Sequence, residues 1–335
     1  APRMTRPTME DVAAAAGVSR SLVSLVFQDS PKVSEASRSR VLAEAERLGY
    51  RPNVLARQLA SNRTRTIGIL LDDMHNPYFA DVLDAFEAEA EAAGYRALLA
   101  NGRREGERES EALRTFIDHR VDGVILASPR ISDSVLTSMS KIAPLVCVER
   151  RVDLPRIDVV MHDEQIGAQL VVDHLVSLGH RDIVHIDGGT GAGASARRDW
   201  FMQSMRDAGL AASMRVIGGE FTEQAGREAA EQLVRGALPT AIYCANDAVA
   251  AGVAAVLQRE GISIPSDVSL VGYDDTMLAK LDLLSLTSVR QPLAEMAKAS
   301  VELINRRIDK PRRGADIVDI APTLVTRRST AAPRT

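Results

Sequence analysis

The sequence predicts an α/β protein in which a small all-α headpiece precedes a two-lobed core of parallel sheets, and three observations carry that reading. Residues 9–27, MEDVAAAAGVSRSLVSLVF, hold two short helical stretches separated by a tight connection at Gly17, the sequence form of a helix-turn-helix. From Thr66 onward, apolar runs of strand length alternate with helical stretches in two successive series, the mark of βαβ units and of a parallel sheet covered on both faces. At 335 residues the chain also exceeds one compact unit of about 150 residues.

In the first stretch Val12, Ala13, Val18, Val23, Val26 and Phe27 fall on one apolar seam, leaving Arg20, Ser21, Ser24 and Leu25 to point outward. A helical hairpin in an ordinary core would satisfy the same window. After the loop QDSPKV, a third helix opens at Ser34, runs through Val41, Leu42, Ala45 and Leu48, and stops at Gly49. Ser34 suits an N-cap and Gly49 a C-cap. The following segment, YRPNVLARQLASNRTRT, can form at most two helical turns over residues 53–60. So short a helix is marginal in water, so residues 51–65 read as a hinge ordered by a partner.

The first core series places strands at IGILLD, RALLAN, DGVILA and PLVCVE, with helices over 77–93, over 107–119 and near Val135. The second places helices over 165–178, 198–208, 223–235 and 248–260, with strands at DIVHID, near 215–217, at AIYCAN and at VSLVGY. A helix over 292–308 and a strand-like PTLVTRRS close the sequence. The expected division is a headpiece over 1–50, a hinge over 51–65 and a core over 66–335. Within the core, lobe one takes about 66–161 and 290–323, and lobe two about 162–289 and 324–335.

Composition excludes several classes. Aromatic residues are scarce, and Cys147 and Cys244 lie in apolar strand-like runs, so buried reduced thiols are expected rather than a disulfide framework. No apolar run is long enough to span a bilayer, and APRMTRPT has no apolar segment behind its basic residues, so the expectation is a soluble cytoplasmic protein with no membrane partner. Charge is unevenly spread. Residues 1–65 carry eleven Lys and Arg against six Asp and Glu, and no carboxylate falls between Glu46 and Asp72, where Arg47, Arg51, Arg57, Arg63 and Arg65 all occur. A polyanion is expected to bind at that end.

Taken in order, MEDVAAAAGVSRSLVS, VSEASRSRVLAEAERLGYRPNVLARQLAS, TIGILLDDMHNPYFADVLDAFE, HLVSLGHRDI, RRDWFMQSMRDAGL, PTAIYCANDAVAAG and PSDVSLVGYDD resemble the LacI/GalR family of bacterial transcription regulators, over about residues 8–330. The resemblance implies a helix-turn-helix headpiece, a hinge helix and a two-lobed, periplasmic-binding-protein-like core working as a homodimer on a palindromic DNA operator, under control of a small-molecule effector, most often a sugar. It implies base contacts at Arg20, Ser21 and Leu25 and phosphate contacts at Ser19, Ser24, Ser34, Ser37 and Arg38. In the hinge it implies a minor-groove wedge at Leu59, flanked by Asn53 and Arg57. It also implies an effector cleft lined by Asp72, Phe79, Ser128, Glu149, Arg197, Phe221, Asn246, Asp274 and Gln291, from loops that follow strands. Three positions depart from the family pattern: Leu22 stands for a usual Thr, Leu25 for a frequent Arg and Trp200 for a usual Gly.

Other signals are weaker. Gly191, Gly193 and Ala196 match a loose dinucleotide fingerprint, but glycines at a strand-to-helix corner also serve backbone geometry. His174, His180 and His185 lack partners at metal-ligand spacing. No nucleophile elbow, phosphate loop or paired acid and base stands out, so neither catalysis, a cofactor nor a metal is expected. A transport-type sugar-binding protein would leave the basic headpiece unexplained, and a nucleotide-dependent enzyme would rest on the glycine loop alone.

Overall fold

A computed structural model describes residues 7–27, 30–50, 63–310 and 314–334. Contacts divide the chain into two units, residues 1–64 and 65–335.

The first unit holds helices α1 (Met9–Ala16), α2 (Arg20–Phe27) and α3 (Glu35–Leu48). Thr8 caps α1 in a reciprocal box, its hydroxyl accepting the Asp11 amide at 3.3 Å while the Asp11 carboxylate accepts the Thr8 amide at 2.7 Å. Gly17, at φ 62°, ends α1 in the left-handed conformation that only glycine adopts without strain. Ser19 caps α2 through the Leu22 amide at 3.2 Å, and Ser34 lies one residue before α3 as its cap. Val12, Val23, Val26, Val33, Val41, Ala45 and Tyr50 form a small core. Leu22 and Leu25 are half-buried and pack against it. The hinge expected over 51–65, with Asn53, Arg57 and Leu59, lies outside the described residues as far as 62.

The second unit contains two six-stranded sheets. The first comprises β1 (Thr66–Leu71), β2 (Arg96–Asn101), β3 (Gly123–Ala127), β4 (Leu145–Val148), β5 (Ile157–His162) and β11 (Ile317–Ile320), in the order β11-β5-β4-β3-β1-β2 and parallel throughout. The second comprises β6 (Ile183–Ile186), β7 (Met214–Ile217), β8 (Ala241–Cys244), β9 (Ser269–Asp274), β10 (Thr287–Arg290) and β12 (Thr323–Val325), in the order β12-β10-β9-β8-β6-β7. Here β12 alone runs antiparallel, against β10. Helices α4 (Tyr78–Ala92), α5 (Gly106–Asp118) and α6 (Asp133–Met139) serve the first sheet, and α7 (Glu164–Ser177), α8 (Ala194–Asp207), α9 (Glu223–Arg235), α10 (Asp247–Arg259) and the short α11 (Met277–Lys280) the second. The long α12 (Leu293–Asp309) returns to the first sheet, where Met296, Ala297, Val301, Leu303 and Ile304 join the core beneath α4.

Both cysteines are buried and unpaired, and burial pushes the Cys147 thiol up to about 12, which leaves it unreactive. Among the described residues no helix is long and apolar enough to cross a membrane.

Two sequence expectations need correction. Strands β5, β10 and β11 and helix α11 were not among the expected elements. The three strands sit where the chain passes from one sheet to the other; β5 follows β4 with no helix between them, and β10 and β11 are only four residues long. Helix α8 begins at Ala194 rather than at 198, entered through Gly193 at φ 77° with no side-chain cap, so no polar capping residue announces its start.

Candidate functional site

The carboxyl ends of parallel strands gather loops and helix N-termini at one edge of a sheet, where ligands bind in open α/β folds. Between the two sheets that edge forms a cleft of about 560 Å³, counting its solvent-open mouth, and all nine expected effector residues line it. Asp72, Ser128, Glu149, Asn246, Asp274 and Gln291 stand at or just beyond strand ends, and Phe221 lies in the loop before α9. Phe79 and Arg197, expected in loops, instead belong to the first turns of α4 and α8. Ser128, Glu149 and Asp274 have φ of 55°, 64° and 100°. A left-handed conformation costs a non-glycine residue on the order of 1–3 kcal/mol and persists where the surroundings hold it, as at ligand sites.

Lobe one supplies an acceptor wall. Tyr78 donates its hydroxyl to Glu149 Oε1, and Ser128 Oγ donates to Glu149 Oε2 at 2.6 Å. Arg130 Nε donates to Asp72 Oδ1 at 2.9 Å, so that ion pair is closed within the lobe. Burial, with Glu149 and Asp274 close by, holds the Tyr78 hydroxyl well above its ordinary range, which keeps it a donor.

Beside this wall lies a buried charge cluster, Arg197 and Glu164 from helices of the second sheet together with His162 from the end of β5 in the first. Arg197 Nε and Nη2 donate to Glu164 Oε2 and Oε1 at 2.9 and 2.8 Å, its Nη1 donates to the Ala245 carbonyl, and its guanidinium lies 3.5 Å from the centre of the Tyr273 ring. His162 Nε2 is 3.0 Å from Glu164 Oε1, and its Nδ1 is 3.7 Å from Glu149 Oε1. Burial alone would raise the Glu164 carboxyl, but Arg197 and His162 overcome it and hold the group down at about 2. Asp274 behaves in the opposite way: burial pushes its carboxyl well above the carboxylate range against the pull of Arg197. Gln291 Nε2 donates to Asp274 Oδ1 at 2.8 Å, and the Asn246 oxygen accepts the Val249 amide as the cap of α10. Phe221 places its ring against the Cα atoms of Gly188 and Gly191, where a Cβ would come within 2.4–2.5 Å of it. Gly191 thus allows close packing of an aromatic ring.

Sequence reasoning missed Tyr78, Arg130, His162 and Glu164, all of which line the cleft. The available signal was HDE at residues 162–164, polar and charged directly after the apolar IDVVM.

The headpiece residues lie elsewhere on the chain, and their placement is uneven. Arg20 and Ser21 are exposed, and Arg20 Nη1 meets Glu10 Oε1 at 3.3 Å, with both side chains about two-thirds exposed. Ser24 and Leu25, expected to point outward, are half-buried, because Leu25 packs on the headpiece core. Ser19 and Ser34 serve as helix caps, Ser34 Oγ donates to Ser37 Oγ at 3.0 Å, and Arg38 Nη2 donates to the Ser30 carbonyl at 2.9 Å.

Residues 8–53 match the model of the lacI family of bacterial regulatory proteins, and residues 172–330 match that of the periplasmic binding protein-like domain. The transcriptional regulator GalR of Escherichia coli is 35% identical over 97% of this chain and 96% of its own length. This chain belongs to the LacI family. The HTH-type transcriptional regulator DegA of Bacillus subtilis is 30% identical over 97% of the chain and 98% of its own length. The lac repressor dimer bound to operator and the anti-inducer ONPF superposes with a TM-score of 0.86 at 25% identity, covering 98% of this chain and all of that one. A complex of the regulator CelR with cellobiose superposes at 0.71 and 28% identity, over 97% of this chain and all of that one. The LacI-family member described here is therefore a transcriptional regulator that joins a helix-turn-helix DNA-binding unit to an effector-binding core.

Proposed function

We propose that the chain is a cytoplasmic, dimeric repressor of catabolic genes whose affinity for a palindromic operator is set by a sugar bound in the cleft. The observation that carries this reading is the cleft itself, where strand-end acceptors and two aromatic rings, Phe79 and Phe221, line one cavity between two sheets. Fixed acceptors suit hydroxyl groups, and an aromatic ring suits the apolar face of a pyranose. The CelR structure carries cellobiose, and a relative from Enterococcus faecium carries ribose at 25% identity and a TM-score of 0.72. The headpiece over 1–50 reads the operator, Arg20 with the major groove, while the hinge over 51–65 inserts Leu59 beside Asn53 and Arg57. The two lobes of the core transmit ligand state, which requires a ligand that binds two lobe arrangements with different affinity.

A thermal-shift panel of sugars, polyols and nucleobases, with each hit retested for its effect on operator affinity, tests the reading. Stabilisation by a sugar that also changes operator affinity is expected. A nucleobase as the only hit, or a sugar hit without effect on operator binding, overturns the sugar switch. Asp274→Ala should abolish the ligand response with operator binding retained, and Leu59→Ala should weaken operator binding with ligand affinity unchanged.

A further inference from the structure

Arginines in a ligand cleft ordinarily announce recognition of a carboxylate or phosphate, since the guanidinium fork fits both. Three arginines line this cleft, and each is already engaged by a carboxylate of the chain: Arg130 by Asp72, Arg104 by Glu220 and Arg197 by Glu164. The Arg197 pair is the most enclosed, with both side chains 4% exposed. Every nitrogen of its guanidinium donates within the protein, and Tyr273 covers one face. Glu164 also fills the other place where an anion could settle. Helix α8 starts without a side-chain cap, and Glu164 Oε1 lies so near its entry that a Cβ on Gly193 would come within 2.7 Å of it. The other polar side chains lining the cavity, among them Asn76, Glu149, Asn246, Asp274 and Gln291, are carboxyls, amides and hydroxyls rather than cations, apart from His162.

We propose that Glu164 is a specificity-determining residue: by occupying the guanidinium of Arg197 and the start of α8, it restricts the cleft to neutral hydroxylated rings and shuts out acidic and phosphorylated sugars. This rests on the sugar reading above. A negatively charged ligand would meet no uncommitted guanidinium in the cleft and would approach the Glu149 carboxylate.

The test is calorimetric titration of the full-length protein with matched sets: glucose, glucuronate and glucose 6-phosphate; galactose, galacturonate and galactose 6-phosphate; ribose and ribose 5-phosphate. In the wild type, a neutral member is expected to bind at least about thirtyfold more tightly than its charged counterparts, a gap of roughly 2 kcal/mol. In Glu164→Gln, which keeps the shape and removes the negative charge paired with the guanidinium, the ratio of acid to neutral affinity should rise at least tenfold, an effect that mere loosening of the fold would not produce. A charged sugar that binds the wild type as well as its neutral partner overturns the role of Glu164 and leaves the sugar reading intact. Binding of no sugar in any set, with a nucleobase bound instead, removes both. Should Glu164→Gln fail to fold, equal binding of a charged and a neutral partner by the wild type still overturns the proposal.

Discussion

The headpiece and the core cleft hold their charges in opposite ways. Arg20 and Glu10 face each other across solvent with two-thirds of each side chain exposed, whereas Arg197 and Glu164 meet in a bidentate pair that water scarcely reaches. An exposed pair contributes roughly 0–1 kcal/mol and yields readily to a better partner. A buried pair is held by the cost of leaving either charge alone. The difference teaches where recognition is adjustable: Arg20 can leave Glu10 for a phosphate or a base edge, while the cleft presents a fixed pattern to its ligand.

The strongest way to break the contrast is Glu164→Ala, which strands the Arg197 guanidinium in the interior. Urea unfolding of the core should show a loss of about 3–5 kcal/mol, and a loss under 1 kcal/mol would mean that solvent reaches the pair. Acid comes next. Burial holds His185 down at about 4, below its ordinary 6.5, against the opposing pull of its bond to the Tyr243 carbonyl. Its contribution is therefore complete above about pH 6.5 and is lost as pH falls towards 4, because the unfolded chain takes up the proton first. Glu164, held near 2, adds a second decline from about pH 4.5 downward. Thermal melting across pH 7 to 4 should show the first decline in the wild type and a shallower one in His185→Leu. In the headpiece, Thr8→Ala removes the hydroxyl that accepts the Asp11 amide while leaving the backbone half of the capping box on α1, and a cost of about 1 kcal/mol to that unit is expected by calorimetry. The smallest effect belongs to Glu10→Ala, which should leave headpiece stability within about 0.5 kcal/mol. It should also tighten operator binding slightly at low salt by releasing Arg20, and a stability loss above 1 kcal/mol would make the two regions alike.

Much of the fold was legible because long apolar periodicities announce themselves: the helices from α4 to α12 fall within a few residues of their expected places, except α8, which starts earlier, and the four-residue α11, which has no expected counterpart. Strands β5, β10 and β11 escaped for a different reason: TSVR and IVDI are only four residues long and interrupted by polar residues, and IDVVMH follows β4 with no helix between them. The resemblance brought together nine cleft residues without indicating what each one touches. Arg197 reads from sequence as a hand offered to the ligand, yet Glu164, 33 positions earlier, already grasps it. Glu164 itself looks like an ordinary first-turn acid of α7, favourable to the helix dipole. Only the return of α8 against α7 reveals its second role. Leu25 escaped differently: a two-turn helix leaves little room for a purely outward face, and its side chain covers a core that, among the described residues, holds nine buried hydrophobics.

The order of strands in the two sheets bears on how the protein is made. By the time a ribosome has released Arg290, strands β1 to β10 exist, but the first sheet still lacks β11 and the helix α12 whose Met296, Ala297, Val301, Leu303 and Ile304 cover its core. The second sheet lacks β12 until Val325 has emerged. Neither lobe can close during synthesis of its own segment, so a nascent chain carries exposed apolar surface for most of its translation. Chains truncated anywhere between 290 and 320 should therefore be poor folders and ready clients for holding chaperones, even though each would retain all nine cleft residues proposed to contact the effector if it extends past Gln291.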